Sequence, residues 1–224
     1  MGDCNSGSCS SGSCSSGSCS SGSCSSNEDR LPPGILGKYD LNQDTGLGVL
    51  MWIDKDGESI SKESLELLGK ARKESDDRIF AMITGPGSIR PLYDILFSYG
   101  VDTLYHIRCK EMEEFDAQNY AKALADLSER LNPMCILISA TERGNIVAER
   151  TGMILGRQVH RDCTSFSISN NLLTTEGSMS MSVPMFTKRN IHPIIATVIP
   201  GSFGEPERFE NRKGTAISRP FKVE

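Results

Sequence analysis

Residues 134–150 read MCILISATERGNIVAER and change character at a single point. Met134 to Ala140 is a short apolar run containing β-branched isoleucines, the composition of a strand buried on both faces. Thr141 then stands at a helix N-cap position, where its hydroxyl can accept from a backbone N–H of the first turn. Beyond it Val147, Met153 and Ile154 supply an apolar stripe, and Gly156 suits a C-cap. A buried strand that leads straight into a capped helix is part of a parallel β/α crossover. The fold turns on how often the chain repeats it.

Upstream the same alternation recurs. Leu50 to Ile53 form the core of a first strand, and in SKESLELLGKARKES the residues Leu65, Leu68 and Ala71 share one helical face. RIFAMITG reads as a strand, the segment around IRPLYDILFSYG as a helix, VDTLYHI as a strand and DAQNYAKALADLSERL as a helix. Downstream the pattern changes. TSFSISNN, LLTTEGSMSMSVP and PIIATVIPG read as shorter strands separated by turn residues, so antiparallel C-terminal edge strands are expected to extend the sheet. The expectation is an α/β fold: an open, mostly parallel, doubly wound sheet with helices on both faces.

Composition sets the boundaries. A GSCSS repeat ends at Asn27, and Pro32 and Pro33 impose extended geometry before the first apolar run. The parts expected are a Gly/Ser/Cys tail over 1–26, a linker over 27–45, the α/β domain over 46–205 and a C-terminal arm over 206–224. With 224 residues at 38% hydrophobic content, the chain can build one globular core. The net charge of −5 comes from 24 basic and 29 acidic residues mixed along the chain, which leaves no dense Lys/Arg footprint for nucleic acid. No run approaches the roughly 18 apolar residues of a membrane span. The N-terminus also lacks the basic start and apolar centre of a secretory signal. A cytoplasmic location is therefore expected, in which the eight cysteines are thiols or metal ligands rather than structural disulfides.

Two stretches are candidates for binding. In TGPGSIR, Gly85, Gly87 and Ser88 follow a strand and open a helix, where backbone N–H groups can face a phosphate. A tight Gly-Pro-Gly turn is the alternative, and the stretch matches neither the dinucleotide nor the P-loop fingerprint. Thr141, Arg143, Gly144 and Asn145 open the helix after the fourth strand, at the carboxyl edge where open α/β sheets bind ligands; plain capping is the alternative. No catalytic residue is assigned, because the three histidines are dispersed and no nucleophile elbow, carboxylate pair or Walker sequence accompanies them. His106 reads as a hydrogen-bonded core residue and His160 as half of a structural pair with Asp162. Cys109, Cys135 and Cys163 read as packing residues, and Met179, Met181 and Met185 as one face of a strand rather than soft-metal ligands.

Over residues 46–205 the element order and several motifs resemble the N-terminal domain of the α subunit of electron transfer flavoproteins. The motifs are the acidic turn WIDKDGE after the first strand, ILISATERGNIVAER against the family's A-T-x-x-G, Asp162-Cys163-Thr164 against D-x-T, and ATVIPGSF against T-V-R-P-G-x-F. The chain departs from the family in three places. Asn145 and Ile146 stand where a basic residue and then Asp or Asn are usual, Ile199 replaces the arginine of V-R-P-G, and the Gly-rich turn is shortened to FTKRNIHP. The resemblance implies a flavodoxin-like or adenine-nucleotide-hydrolase-like architecture and a role as an electron-transfer component rather than a catalyst alone. In the family a second α-subunit domain holds FAD. With no counterpart expected before Glu224, FAD would be held mainly by a partner. That partner would be a β-like subunit in a heterodimer, or another flavoprotein, with a redox dehydrogenase or ferredoxin as further partners.

The tail repeats Cys4, Cys9, Cys14, Cys19 and Cys24 every five residues. Glycine and serine offer almost no apolar area against chain entropy, so the tail is expected to be disordered unless something external orders it. Four intervening residues let neighbouring thiolates close on zinc, copper(I) or an iron–sulfur cluster, although the compact C-x₂-C spacing of ferredoxins is absent. A metal or cluster arm, a thiol redox arm and a solvated tail are all open. For the whole chain the alternatives to electron transfer are a non-redox binding or assembly module and a Cys-tail metal carrier.

Overall fold

In the computed structural model the apolar run after Met134 forms the strand Cys135–Ser139, buried throughout, followed by the helix Glu142–Leu155. The structure describes residues 46, 48–109, 114–169, 172–177, 192–201 and 203–221. The tail cysteines and Met179, Met181 and Met185 lie outside the described residues. In chain order the elements are β1 (Val49–Trp52), β2 (Lys55–Asp56), β3 (Ser59–Ile60), α1 (Lys62–Glu74), β4 (Ile79–Thr84), α2 (Leu92–Ser98), β5 (Thr103–Arg108) and α3 (Ala117–Leu131). They continue with β6 (Cys135–Ser139), α4 (Glu142–Leu155), β7 (Val159–Cys163), β8 (Ser165–Ser169), β9 (Leu172–Glu176), β10 (Ile194–Val198) and β11 (Thr215–Pro220).

Seven strands form one sheet in the order β11-β5-β4-β1-β6-β10-β7. All of its pairings are parallel, with Val49 of β1 in register with Ile79 on one side and Cys135 on the other. Both faces are covered, which explains the unbroken apolar strands. Val49, Met51 and Ile53 pack with Leu67, Leu68 and Leu96 on the α1/α2 face. Leu50, Trp52, Ile136 and Ile138 pack with Leu124 and Val147 on the α3/α4 face. From β1 the chain winds outward through β4 and β5, then returns to place β6 on the other side of β1. The crevice at the carboxyl ends of β1 and β6 is therefore the topological switch point.

Local signals set the helix ends. Ser61 caps α1 by accepting from Ser64 N–H, Asp116 caps α3 through Gln118 and Asn119, and Thr141 caps α4 through Gly144. Gly156 ends α4 in the left-handed region, with φ of 62°. Among the described residues no helix is long and apolar enough to cross a membrane.

Three expectations change. The antiparallel C-terminal pairing belongs to a separate β8–β9 hairpin, while β10 enters the sheet parallel between β6 and β7. The reason is burial: Ile195, Ala196, Thr197 and Val198 are all inaccessible, as an inner strand requires. The expected C-terminal arm contributes β11, a parallel edge strand on β5. In α4 the face that packs is Val147, Ala148, Thr151 and Gly152, leaving Met153 80% and Ile154 43% exposed. At Gly152 a Cβ would come within 2.7 Å of Val159, so close helix–strand approach rather than bulk sets that contact.

Candidate functional site

At the switch point β1 delivers Asp54, whose backbone N–H donates to Ser64 Oγ at 3.0 Å and whose Oδ1 accepts from Lys55 N–H at 2.8 Å. The first turn of α4 delivers Arg143. Its Nη1 lies 3.2 Å from Asp54 Oδ1 and donates to the Lys55 carbonyl at 3.4 Å. The guanidinium carbon sits 4.3 Å from the centre of the Phe115 ring, so the side chain is stacked as well as paired. Burial raises the Asp54 pKa above the ordinary carboxylate value, and Arg143 opposes that rise. An aromatic wall lies below: Tyr120 meets Trp52 edge-on at 6.0 Å and Phe115 at 5.4 Å. Buried Trp52 Nε1, Ser139 Oγ, Arg143 Nε and Asn145 Oδ1 have no hydrogen-bond partner among the described residues.

The sequence-predicted residues fall into two groups at this edge. Thr141 Oγ1 accepts from Gly144 N–H at 3.0 Å, and Asn145 N–H donates to the Thr141 carbonyl at 2.9 Å. A Cβ on Gly144 would collide with the Ser139 carbonyl oxygen, so glycine here lets the helix start directly over the strand end. In the second group Gly85 has φ of 151°, and a Cβ there would lie 2.6 Å from Lys55 Nζ. Gly87 faces open space and starts a 3₁₀ turn, Gly87–Ile89, which carries the Ser88 backbone. Beside it a cavity of about 360 Å³ is lined by Lys55, Glu58, Pro86, Ile89 and Leu92.

His106 is a buried, fully bonded residue, as expected. Its Nε2 lies 2.8 Å from the Gly85 carbonyl, which can only accept, so Nε2 carries the proton and Nδ1 accepts from the Tyr93 hydroxyl at 2.6 Å. Burial lowers its pKa, consistent with that neutral tautomer. The expected His160–Asp162 pair does not form. His160 Nδ1 meets Thr175 Oγ1 at 2.9 Å, while Asp162 Oδ1 accepts from Asn145 Nδ2 at 3.2 Å. Asp162 has φ of 52°, which breaks the alternation that would have put both side chains on one face. Its N–H donates to Thr197 Oγ1 at 3.0 Å, so the D-x-T stretch ties α4 to β10.

Residues 49–223 match the Electron transfer flavoprotein domain. The chain belongs to this family. It is 30% identical over 163 residues to the electron transfer flavoprotein subunit alpha of Thermoanaerobacterium thermosaccharolyticum, covering 69% of this chain and 48% of that protein. Protein FixB of Azorhizobium caulinodans is 27% identical over 186 residues, 77% of this chain and 49% of its own. The lactate dehydrogenase (NAD(+),ferredoxin) subunit LctC of Acetobacterium woodii is 28% identical over 167 residues, 72% of this chain and 40% of its own. The chain spans about half the length of the curated relatives it matches.

Within this electron-transfer-flavoprotein domain the VIPGSF segment has a structural task that the sequence did not reveal. Glu66 on α1 accepts from Gly201 and Phe203 N–H, both at 2.7 Å, and Phe203 meets Phe166 edge-on at 6.0 Å. The family also implies FAD. At the switch-point crevice Arg143 lies against Asp54 and Phe115, and a side chain on Gly144 would meet the Ser139 carbonyl. Among the described residues no group of three or more His, Cys, Asp and Glu is gathered for a metal ion. Cys109, Cys135 and Cys163 are buried and none is in a disulfide among the described residues, and burial pushes the Cys135 pKa upward.

Proposed function

We propose that the chain is an electron-transfer-flavoprotein α-like component that docks, as half of a heterodimer, to a β-like subunit or another flavoprotein that holds the FAD. The observation that carries this reading is the family match over residues 49–223. The name of the Acetobacterium woodii relative, a dehydrogenase subunit whose reaction involves NAD(+) and ferredoxin, supports a dehydrogenase or ferredoxin as further redox partner. Gly85, Gly87, Ser88, Thr141, Arg143, Gly144 and Asn145 form the proposed binding edge, and a nucleotide phosphate arriving there takes the Arg143 guanidinium from Asp54. Cys4, Cys9, Cys14, Cys19 and Cys24 are proposed as a thiolate arm for an iron–sulfur cluster or another thiophilic metal.

The test is anaerobic reconstitution. A β-like subunit loaded with FAD is mixed with an NADH- or ferredoxin-linked donor, and flavin reduction is followed with and without this chain. Acceleration that requires the chain is expected; an unchanged rate contradicts the role. Iron, sulfide, zinc and copper contents of the full chain and of the variant with all five tail cysteines changed to serine test the arm. Equal contents in the two remove it, and stoichiometric metal together with no response to any flavoprotein favours a metal carrier instead.

A further inference from the structure

At the opposite, amino edge of the sheet a cavity of about 430 Å³ is lined by Arg72, Asp76, Arg78, Asp102, Phe209 and Arg212. Two of its arginines are already engaged. Arg72 leaves the last turn of α1, places Nη1 3.0 Å from Asp102 Oδ2, and donates through Nη2 to the carbonyls of Ser75 and Asp77. Arg212 reaches the other oxygen, Asp102 Oδ1, at 2.6 Å. Asp102 Oδ2 also accepts from Ile79 N–H at 2.9 Å, so this carboxylate is held on both oxygens.

Arg78 is different. It stands immediately before β4 and lines the same cavity, yet its buried Nη1 has no hydrogen-bond partner among the described residues. A buried guanidinium N–H without an acceptor is unfavourable, and because this atom is closed off from solvent an oxyanion in the cavity engages it as the side chain turns outward, the acceptor its planar fork fits best. The charges agree: three arginines face two aspartates, Asp76 and Asp102, leaving an excess of one positive charge. Phe209 supplies an apolar wall, held by its N–H to the Ser98 carbonyl at 2.7 Å and lying 5.6 Å from the Arg212 guanidinium. The strap that brings Phe209 and Arg212 here continues directly into β11.

We infer that this cavity is a binding site for a small organic phosphate, whose phosphoryl oxygens accept from Arg78 while the group carrying the phosphate lies against Phe209. The volume, of the size usual for small-molecule sites, exceeds what a bare phosphate needs, and the aromatic wall gives the remainder of the ligand an apolar contact. The site is at the far end of the strands from the switch point and does not depend on the electron-transfer reading.

Calorimetric titration of the full chain with phenyl phosphate, in chloride buffer of fixed ionic strength, tests this. Saturable binding of one ligand per chain is expected. Arg78→Gln should weaken it at least tenfold, and Arg212→Gln should weaken it as well by releasing one side of Asp102. Arg130→Gln, on the outer face of α3 where Arg130 pairs with Asp126, should leave affinity unchanged. If Arg78→Gln does not fold, Arg78→Lys, which keeps the charge and loses the fork, replaces it with the same expected direction. No saturable binding to the wild type would overturn the proposal. So would wild-type affinity in the Arg78→Gln and Arg212→Gln variants, or an equal loss in Arg130→Gln.

Discussion

The two ends of one parallel sheet use arginine in different ways. At the carboxyl edge Arg143 pairs with Asp54 through Nη1 and stacks on Phe115 in the crevice where a doubly wound fold ordinarily admits a ligand, while its Nε has no partner among the described residues. At the amino edge Arg72 and Arg212 share Asp102, and Arg78 adds a third guanidinium whose Nη1 has no partner among the described residues. Unpartnered donors occur at both edges. What sets the amino edge apart is an excess of arginine over aspartate around an open cavity, which a position in the fold does not announce.

The largest effect is expected at Gly144. Gly144→Ala forces a methyl into the Ser139 carbonyl and should cost about 3 kcal/mol of unfolding free energy, the scale of an overpacked core site, measured by urea denaturation. An unchanged midpoint would mean that α4 does not start as tightly on β6 as described. Arg143→Ala should cost about 1–2 kcal/mol, below the figure for a fully buried pair because its side chain is 39% exposed. In a double-mutant cycle with Asp54→Asn, that cost should largely vanish. A cost independent of Asp54 would assign Arg143 to packing on Phe115 alone.

Smaller effects are expected elsewhere. Glu66→Gln keeps the shape but removes the charge that Gly201 and Phe203 N–H groups bond to, so a loss of about 1 kcal/mol is expected. The smallest effect is in pH dependence. Burial lowers the pKa of His106 and of His160, so the unfolded chain binds these protons more readily. Their stabilisation is present above the ordinary value of 6.5 and is lost as pH falls below it towards the lowered folded values. His106→Gln should flatten the decline in stability measured between about pH 7 and pH 5; an identical slope would refute the burial argument.

Some of this was legible in the sequence because the signals were local. The apolar run of β6, the Thr141 cap, the Gly156 ending and the alternation through α3 each rest on neighbouring residues. The strand PIIATV was legible as a strand but not as an inner one, since a short buried run looks alike in parallel and antiparallel settings. TAISRP was hidden among charged residues, and only its period-two burial on β5 marks it as an edge strand. The stack of Arg143 on Phe115 and the cluster around Asp102 join residues far apart in the chain, so no local pattern announces them. His160 was assigned the wrong partner because nothing in HRDCT signals the left-handed backbone at Asp162.

The proposed function has the flavin of this electron-transfer-flavoprotein domain held by a second subunit. Its most direct test is to express the chain alone and together with a β-like subunit, and to read mass by light scattering and flavin by visible absorbance across a gel-filtration run. A flavin-free peak is expected for the chain alone and a one-to-one heterodimer carrying FAD when both are present. Stoichiometric flavin on the chain alone, or two chains that elute apart, would contradict it.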